Sequence, residues 1–178
     1  MEEIRIHGRG GQGSVTMAQL LAEAAFEGGK WAQGFPSFGV ERLGAPIQAF
    51  TRIDDKKITD RSQIDKPDYV VVQDSTLLDL VDVLNGLKDD GLVLINSNKD
   101  PEELDLDTKS TVLTVPATDI ALENLGRPIM NTALAGALSG ATSLYDKDSL
   151  NDVIMRQFPG EIGEKNVASV NDAYERMI

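Results

Sequence analysis

The stretch that decides the fold lies near the start of the chain, where residues 4–17 read Ile4-Arg5-Ile6-His7-Gly8-Arg9-Gly10-Gly11-Gln12-Gly13-Ser14-Val15-Thr16-Met17. The two isoleucines alternate with charged residues, which predicts a strand. After the glycines, apolar and small residues recur at helical spacing, at Met17, Leu21, Ala24, Ala25 and Gly28. The stretch therefore predicts a strand, a glycine loop and a helix in succession.

The pattern continues along the rest of the chain. Gly28-Gly29 predicts the end of the first helix, because glycine adopts the left-handed conformation that closes helices without steric cost. Five further strands are predicted, at 30–35, 47–53, 69–73, 92–95 and 111–115, and a short return strand from Ile58 after a turn at 54–57. A crossover helix is predicted from Thr76 to Leu87, and three more helices begin at about Asn131, Leu150 and Val167.

Strands that alternate with helices predict an α/β fold. We expect a three-layer α/β/α single domain over residues 1–178, with a mostly parallel sheet that is mixed at the predicted hairpin, a glycine-rich first strand-helix turn and a helical C-terminal third. The length of 178 residues suits one core better than two. The segment Pro36 to Pro46 contains two prolines and two glycines, and it predicts a shaped loop between two strands.

Composition excludes several classes of function. The formal net charge is −12, which argues against a nucleic-acid or anionic-membrane surface, because phosphates attract basic patches. The chain has no Cys, and so it cannot supply the thiolates that hold iron-sulfur clusters. The carboxylates occur in scattered runs without metal-ligand spacing, and no metal site is predicted. The N-terminus lacks the apolar segment of a signal peptide, so we expect a cytoplasmic protein.

The glycine loop is the strongest local signal for a ligand. Gly8, Gly10 and Gly13 satisfy the pattern G-x-G-x-x-G between a predicted strand and a predicted helix, where backbone N–H groups can face a phosphate. A nicotinamide site needs an acidic residue roughly 20 positions later, and residues 31–39 contain none. The Lys of a Walker loop is also absent. A tight turn that binds nothing is the alternative.

Two arginines accompany the loops. Arg9 lies within the glycine loop and Arg42 within the loop that ends at Pro46. Guanidinium groups match phosphate oxygens, so both are candidate phosphate contacts, and a surface ion pair with a neighbour such as Glu41 is the alternative for each. His7 is the sole histidine, and without a Ser or Cys partner in a recognisable arrangement we expect it to cap a strand rather than to act in acid-base chemistry.

The helix that begins at Asn131 has almost no side-chain bulk on one face. Ala133, Gly136, Ala137 and Gly140 supply that face, so another backbone must approach it closely. We expect this to be the sheet of the same domain, with a subunit contact as the second choice.

Two long motifs carry a resemblance to a known family. Residues 8–13, Gly-Arg-Gly-Gly-Gln-Gly, and residues 34–46, Gly-Phe-Pro-Ser-Phe-Gly-Val-Glu-Arg-Leu-Gly-Ala-Pro, lead into Phe50-Thr51-Arg52-Ile53. Together with Asn131-Thr132-Ala133 they closely resemble the gamma subunits of pyruvate:ferredoxin oxidoreductases, and the similarity covers essentially the whole chain. Val40 and Leu43 depart from the Pro and Arg that are frequent at those positions.

The resemblance implies a role in a larger enzyme. The family oxidatively decarboxylates a 2-oxoacid with coenzyme A, giving acyl-CoA, carbon dioxide and reduced ferredoxin. It implies alpha, beta and delta partner subunits that hold thiamine diphosphate and the 4Fe-4S clusters, with none of these cofactors on this chain and no catalytic residue here. It also suggests that the candidate site contacts coenzyme A, through Gly8, Arg9, Gly10, Gly11, Gln12, Gly13, Ser37 and Arg42.

Alternatives remain at the level of function and of substrate. The loop at 37–46 looks more like that of pyruvate enzymes than that of the 2-oxoglutarate branch, whereas branched-chain 2-oxoisovalerate enzymes have similar gamma subunits. A free-standing nucleotide-binding oxidoreductase would bind a dinucleotide alone. An interaction module without a ligand would tolerate changes in Gly8 to Gly13 that preserve the fold.

Overall fold

A computed structural model describes residues 1–39 and 41–178, and its centre is a six-stranded sheet. The strands are β1 (Glu2–Arg9), β2 (Trp31–Pro36), β3 (Pro46–Asp54), β4 (Tyr69–Val72), β5 (Leu92–Asn96) and β6 (Thr111–Val115). Their order across the sheet is β2-β3-β1-β4-β5-β6. All five strands expected after the first are therefore confirmed in kind and approximate position.

The sheet is mixed, as predicted, although the antiparallel strand pairs differently from the prediction. β1, β4, β5 and β6 are parallel neighbours, and β3 runs antiparallel to both β1 and β2. The predicted return strand after residue 57 is wrong for this reason. Both edges of β3 are already paired, so the hairpin partner of β3 is β2, which precedes it across the loop 37–45.

Five α-helices accompany the sheet. They are α1 (Ser14–Glu27), α2 (Ala117–Leu125), α3 (Asn131–Ala141), α4 (Lys147–Gln157) and α5 (Glu161–Glu175). Gly28 caps α1 and Gly29 follows with φ 89°, so the predicted glycine stop is confirmed. The helical C-terminal third is also confirmed, whereas α2 was not predicted, because it is short and only Pro116 before it and Gly126 after it mark its ends. Among the described helices, none has the length and apolarity needed to cross a membrane.

All five helices share one core with one face of the sheet. Helix α3 lies deepest, with residues 131–139 all buried. A Cβ added at Gly136 would lie 2.7 Å from the Cα of Val170, and one at Gly140 would lie 2.7 Å from the carbonyl oxygen of Tyr174. The small-residue face of α3 therefore packs against α5, and the expectation that the sheet covers it is wrong.

The opposite face of the sheet is covered without an α-helix. Val70, Val72, Val93 and Ile95 pack there against a 3₁₀ helix at Ser75–Asp79 and the turns that follow it. The predicted crossover helix from residue 76 to 87 is therefore wrong. The α/β class is confirmed, and among the described residues the second covering layer consists of turns and of two 3₁₀ helices, at Ser75–Asp79 and Pro101–Leu104, rather than α-helices.

A buried arginine holds part of this segment against the sheet. Arg5 on β1 donates from Nη2 to the carbonyl oxygens of Val83 at 3.0 Å and of Asn85 at 2.6 Å. Because the side chain of Arg5 is buried, it needs these acceptors, and residues 83–86 form turns around it. Gly86 has φ 76°, and its Cα approaches the backbone of Asp65 so closely that a Cβ would overlap it, which further favours a turn.

Candidate functional site

The two motifs that carry the resemblance form one pair of loops at the carboxyl end of β1. The amide of Gly10 donates to the carbonyl oxygen of Ala45 at 2.9 Å, and the amide of Gly44 donates to that of Gly10 at 3.0 Å. Gly10 also forms a β-bridge with Leu43. The glycine loop and the end of the Pro36–Pro46 loop are thus joined through their backbones, although the sequence separates them by more than 20 residues.

The three glycines of the pattern are required by contacts within the chain. A Cβ at Gly10 would lie 2.8 Å from the carbonyl carbon of Arg42, and one at Gly13, which has φ 74°, would lie 2.6 Å from Nδ2 of Asn131. A Cβ at Gly8 would overlap the side chains of Ser14 and Gln73. Close packing explains the glycines without a ligand, and it also holds the loop in one conformation.

Arg9 is already engaged by protein groups. Its Nε donates to Oδ2 of Asp74 at 3.2 Å, Nη1 to the carbonyl oxygen of Gly44 at 2.9 Å, and Nη2 to Oγ1 of Thr76 at 2.8 Å. Gln12 joins the network, since its Nε2 donates to the same Asp74 oxygen at 3.1 Å. The ion-pair interpretation of Arg9 is confirmed, with Asp74 rather than Glu41 as the partner.

Asp74 was missed by the sequence reasoning, although it follows β4 directly. Burial raises its pKa, but hydrogen bonds from Thr76 and Gln12 and the charge of Arg9 together hold the pKa below its ordinary value. Asp74 is therefore ionised at neutral pH. Gln73, also missed, is fully buried beneath the loop, where its side chain contacts Ser14 and donates to the carbonyl oxygen of Gln12 at 3.2 Å.

Arg42 differs from Arg9 in its surroundings. Its side chain is exposed, and within residues 1–39 and 41–178 it makes no hydrogen bond or ion pair. Its carbonyl group packs on Gly10, so Arg42 stands beside the glycine loop with its guanidinium group in solvent. Of the two candidate phosphate contacts, Arg42 is the one whose guanidinium group has no partner among the described residues, whereas Arg9 has already committed three of its five N–H donors.

Ser37 lies at the other end of the Pro36–Pro46 loop. Its amide donates to the carbonyl oxygen of Gln48 at 3.0 Å, and its hydroxyl accepts a hydrogen bond from Nε2 of Gln63 at 3.0 Å. Ser37 lines a cleft of about 410 Å³ together with His7, Phe38 and Glu41. Arg9 and Arg42 are not among the described residues of that lining, so the structure places Ser37 in a different wall of the site.

His7 is buried at the floor of this cleft. Burial, and secondarily the charge of Arg5, lowers its pKa from 6.5 to about 3. The imidazole is therefore neutral at physiological pH, and its protonation state does not change near neutrality. The expectation that His7 caps a strand is refined: it lies within β1, where its Nε2 accepts a hydrogen bond from Nε of Arg5 at 2.9 Å.

The strand order argues against a dinucleotide site at the glycine loop. In a Rossmann unit the second strand lies next to the first, and an acidic residue at its end binds the ribose. Here β3 is inserted between β1 and β2, so β2 lies about 10 Å from β1. The strand ends at Phe35 and Pro36, neither of which is acidic.

Comparisons with known proteins agree with the motifs. The family model of pyruvate ferredoxin/flavodoxin oxidoreductase matches residues 3–176. The chain is 56% identical over 177 residues to pyruvate synthase subunit PorC of Methanothermobacter thermautotrophicus, covering 99% of this chain and 96% of that protein. It is 55% identical over 179 residues to the pyruvate/ketoisovalerate oxidoreductases common subunit gamma of Pyrococcus furiosus, covering 99% of this chain and 97% of that protein.

A solved structure extends the likeness to three dimensions. The crystal structure of pyruvate oxidoreductase subunit PORC from Thermotoga maritima superposes with a TM-score of 0.86 at 40% identity, covering 98% of this chain and 95% of that one. The family match spans nearly every residue, and the relatives are matched over nearly their full length. The chain therefore belongs to the pyruvate ferredoxin/flavodoxin oxidoreductase family.

Proposed function

We propose that this chain is the gamma subunit of a pyruvate:ferredoxin oxidoreductase. The complete enzyme would oxidatively decarboxylate pyruvate with coenzyme A to give acetyl-CoA and carbon dioxide, with the electrons passing to ferredoxin. The observation that carries the proposal is the 56% identity, over 99% of the chain, to a protein named pyruvate synthase subunit PorC. Residues 1–178 would form a single gamma domain, acting in the cytoplasm.

The chain would contribute no electron-carrying group of its own. It has no Cys, and clusters of the 4Fe-4S type are held by thiolates. Within residues 1–39 and 41–178, no group of three or more His, Asp or Glu side chains is arranged to hold a metal ion. Thiamine diphosphate and the clusters would reside on the alpha, beta and delta subunits, and the chain alone would be inactive.

A second substrate has specific support. The Pyrococcus furiosus relative is named as a subunit common to pyruvate and ketoisovalerate oxidoreductases, and this chain is 55% identical to it. By its name, that gamma subunit is shared by two oxidoreductases with different 2-oxoacid substrates. The alternative proposal is that this chain assembles with a branched-chain 2-oxoisovalerate enzyme, alone or in addition.

We also propose that the loop pair contributes to binding coenzyme A. Arg42 would contact a phosphate, because its guanidinium group is exposed beside the glycine loop and has no partner in the described part of the chain. Arg9 would hold the loop in place through Asp74 and Gly44, and Gly8, Gly10, Gly11, Gln12 and Gly13 would shape its backbone. Ser37 would lie farther along the same surface, in the cleft.

The test is purification of the native complex through a tag on this chain. We expect three further subunits, one of them rich in Cys, and coenzyme A-dependent ferredoxin reduction with pyruvate that exceeds the rate with 2-oxoisovalerate. The isolated chain should be inactive. Turnover by the isolated chain, or recovery of the chain without cluster-bearing partners, would overturn the proposal.

A further inference from the structure

The cleft floored by His7 has polar and apolar groups besides Ser37 to which the proposed function gives no role. Its described lining combines an apolar wall of Ile47, Leu77 and Val81 with polar groups at His7, Gln48 and Glu41. A volume of about 410 Å³ falls within the range of sites that enclose part of a ligand or a few side chains of a partner. The cleft lies on the face of the sheet that the α-helices do not cover.

The protonation of His7 is fixed by its neighbour. The Nε of Arg5 is a hydrogen-bond donor only, so the Nε2 of His7 that it contacts must be the acceptor. The single proton of the neutral ring then resides on Nδ1. His7 is only 2% exposed, and Nδ1 has no acceptor among the described residues. His7 is one of the residues that line the cleft, so this donor lies at the cleft wall.

The rim of the cleft carries an exposed apolar side chain. Phe38 is 76% exposed and lines the cleft directly. A large exposed apolar side chain beside a concave surface is typical of a protein interface.

The charge of the cleft lining indicates which kind of partner fits it. Among the described lining residues, Glu41 is the one with a carboxylate side chain, and none is Lys or Arg. A second copy of this chain would bring another −12 of net charge against it, which opposes self-association. A neutral or basic segment of a different subunit fits.

We infer that this cleft docks a segment of a catalytic partner subunit, which inserts an apolar side chain beside Leu77, offers a backbone carbonyl to Nδ1–H of His7 and places a Lys or Arg next to Glu41. The inference rests on the proposed function, since it requires that the chain be a subunit of a larger enzyme. Beyond that function, it names the surface that contacts the partner subunit and the types of side chain that the partner supplies. Neutral His7 would act as a fixed donor, and the apolar rim would be covered on assembly.

The first experiment measures assembly of the full chain with its purified partner subunits. Phe38→Ser and Glu41→Lys should each raise the dissociation constant at least tenfold. The matched controls are Phe26→Ser, where the side chain is 65% exposed near the end of α1, and Glu23→Lys on the same helix. Both controls should change the constant by less than twofold.

The second experiment identifies the occupant. Phe38 is replaced by a photo-crosslinking phenylalanine analogue in the intact complex, and the crosslinked peptides are sequenced. We expect one partner-subunit peptide that contains a Lys or Arg. Crosslinks between two copies of this chain, or unchanged dissociation constants for the Phe38 and Glu41 variants, would overturn the docking site while leaving the subunit assignment intact. Failure of the wild-type chain to join any complex would instead overturn the proposed function.

Discussion

The guanidinium group of Arg9 lies 3.2 Å from the carboxylate of Asp74, across the carboxyl ends of the adjacent strands β1 and β4. Residues 65 positions apart are thereby joined directly beneath the loop pair. Arg9 and Arg42, which look equivalent in the sequence, therefore have different tasks: Arg9 holds the loop, and Arg42 presents free donors. The first prediction separates these two tasks.

Substitution of Arg42 by Gln should raise the KM for coenzyme A about tenfold, because a phosphate contact of that strength is worth about 1.4 kcal/mol. The melting temperature of the Arg42→Gln variant should stay unchanged, since the side chain of Arg42 is exposed. Arg9→Gln should instead lower the free energy of unfolding by about 1 to 2 kcal/mol, because the partly buried Asp74 loses its cationic partner. Steady-state kinetics of the complex and thermal denaturation measure the two effects.

The matched control for Arg42 is Arg156→Gln. Arg156 is also exposed, and it pairs with Glu27 at the opposite end of α1 from the glycine loop. Surface ion pairs contribute little, so neither the KM nor the stability should change appreciably. An unaltered KM for coenzyme A in the Arg42 variant would remove Arg42 from the proposed site.

A second prediction concerns the junction of the two loops. Gly10→Ala should lower the free energy of unfolding by about 2 to 4 kcal/mol, because the added methyl group would overlap the backbone of Arg42. The two loops cannot move apart to relieve this overlap without breaking the hydrogen bonds that Gly10 makes with Ala45 and Gly44. Gly28→Ala is the control. Its Cβ would lie 3.4 Å from its nearest neighbour, at a φ of −73°, and it should cost less than about 1 kcal/mol. Chemical denaturation of both variants provides the comparison.

A third prediction follows from the neutral His7. Its pKa is about 3 in the folded chain and 6.5 without burial, so between these values the unfolded chain binds more protons. The contribution of neutral His7 to the free energy of unfolding is fully present above about pH 6.5 and declines as the pH falls toward 3. The slope contributed by this one proton reaches about 1.4 kcal/mol per pH unit.

The measurement compares the free energy of unfolding of the wild type and of His7→Gln between pH 7 and pH 4.5. Carboxylates contribute almost equally to both curves, so the difference isolates His7. The wild type should lose stability faster on acidification. Parallel curves over this range would mean that His7 titrates in the folded chain near its ordinary value.

A fourth prediction concerns Arg52, which is 1% exposed on the face of the sheet that carries the cleft. Its Nε donates to Glu3 at 2.9 Å, and its guanidinium carbon lies 5.4 Å from the centre of the Phe35 ring. Arg52→Met should lower the free energy of unfolding by about 2 to 4 kcal/mol, because Glu3 is left without its partner in a mostly buried position. The double variant Arg52→Met with Glu3→Gln should recover part of that loss, and a cycle of the four proteins measures the coupling. Additive single effects would show that the pair does not interact.

Short-range sequence patterns were sufficient to predict most of the strands and helices. Alternation of apolar residues and short aliphatic runs predicted the strands, because a strand repeats every two residues whatever surrounds it. Helical spacing and the Gly28-Gly29 stop predicted α1 for a similar reason. The candidate loops were also recognisable, since glycine patterns and proline-rich segments act through local backbone geometry.

Long-range contacts decided the rest. The segment from Thr76 to Leu87 has apolar residues at helical spacing, yet Arg5 draws two of its carbonyl groups toward the sheet, and no local pattern contains that contact. The pairing of β3 with β2 depended on which edges of the sheet were free. In both places the deciding partner is distant in sequence.

By itself, the sequence determined the α/β class, the positions of the six strands, the absence of thiolate ligands and the two motifs that mark the family, because each of these depends on residue identity or on short-range periodicity. The tertiary structure alone decided that Asp74 engages Arg9 while Arg42 faces solvent, and that a neutral His7 lines a cleft. Those properties depend on burial and on distances between strands, which arise only when the sheet has assembled.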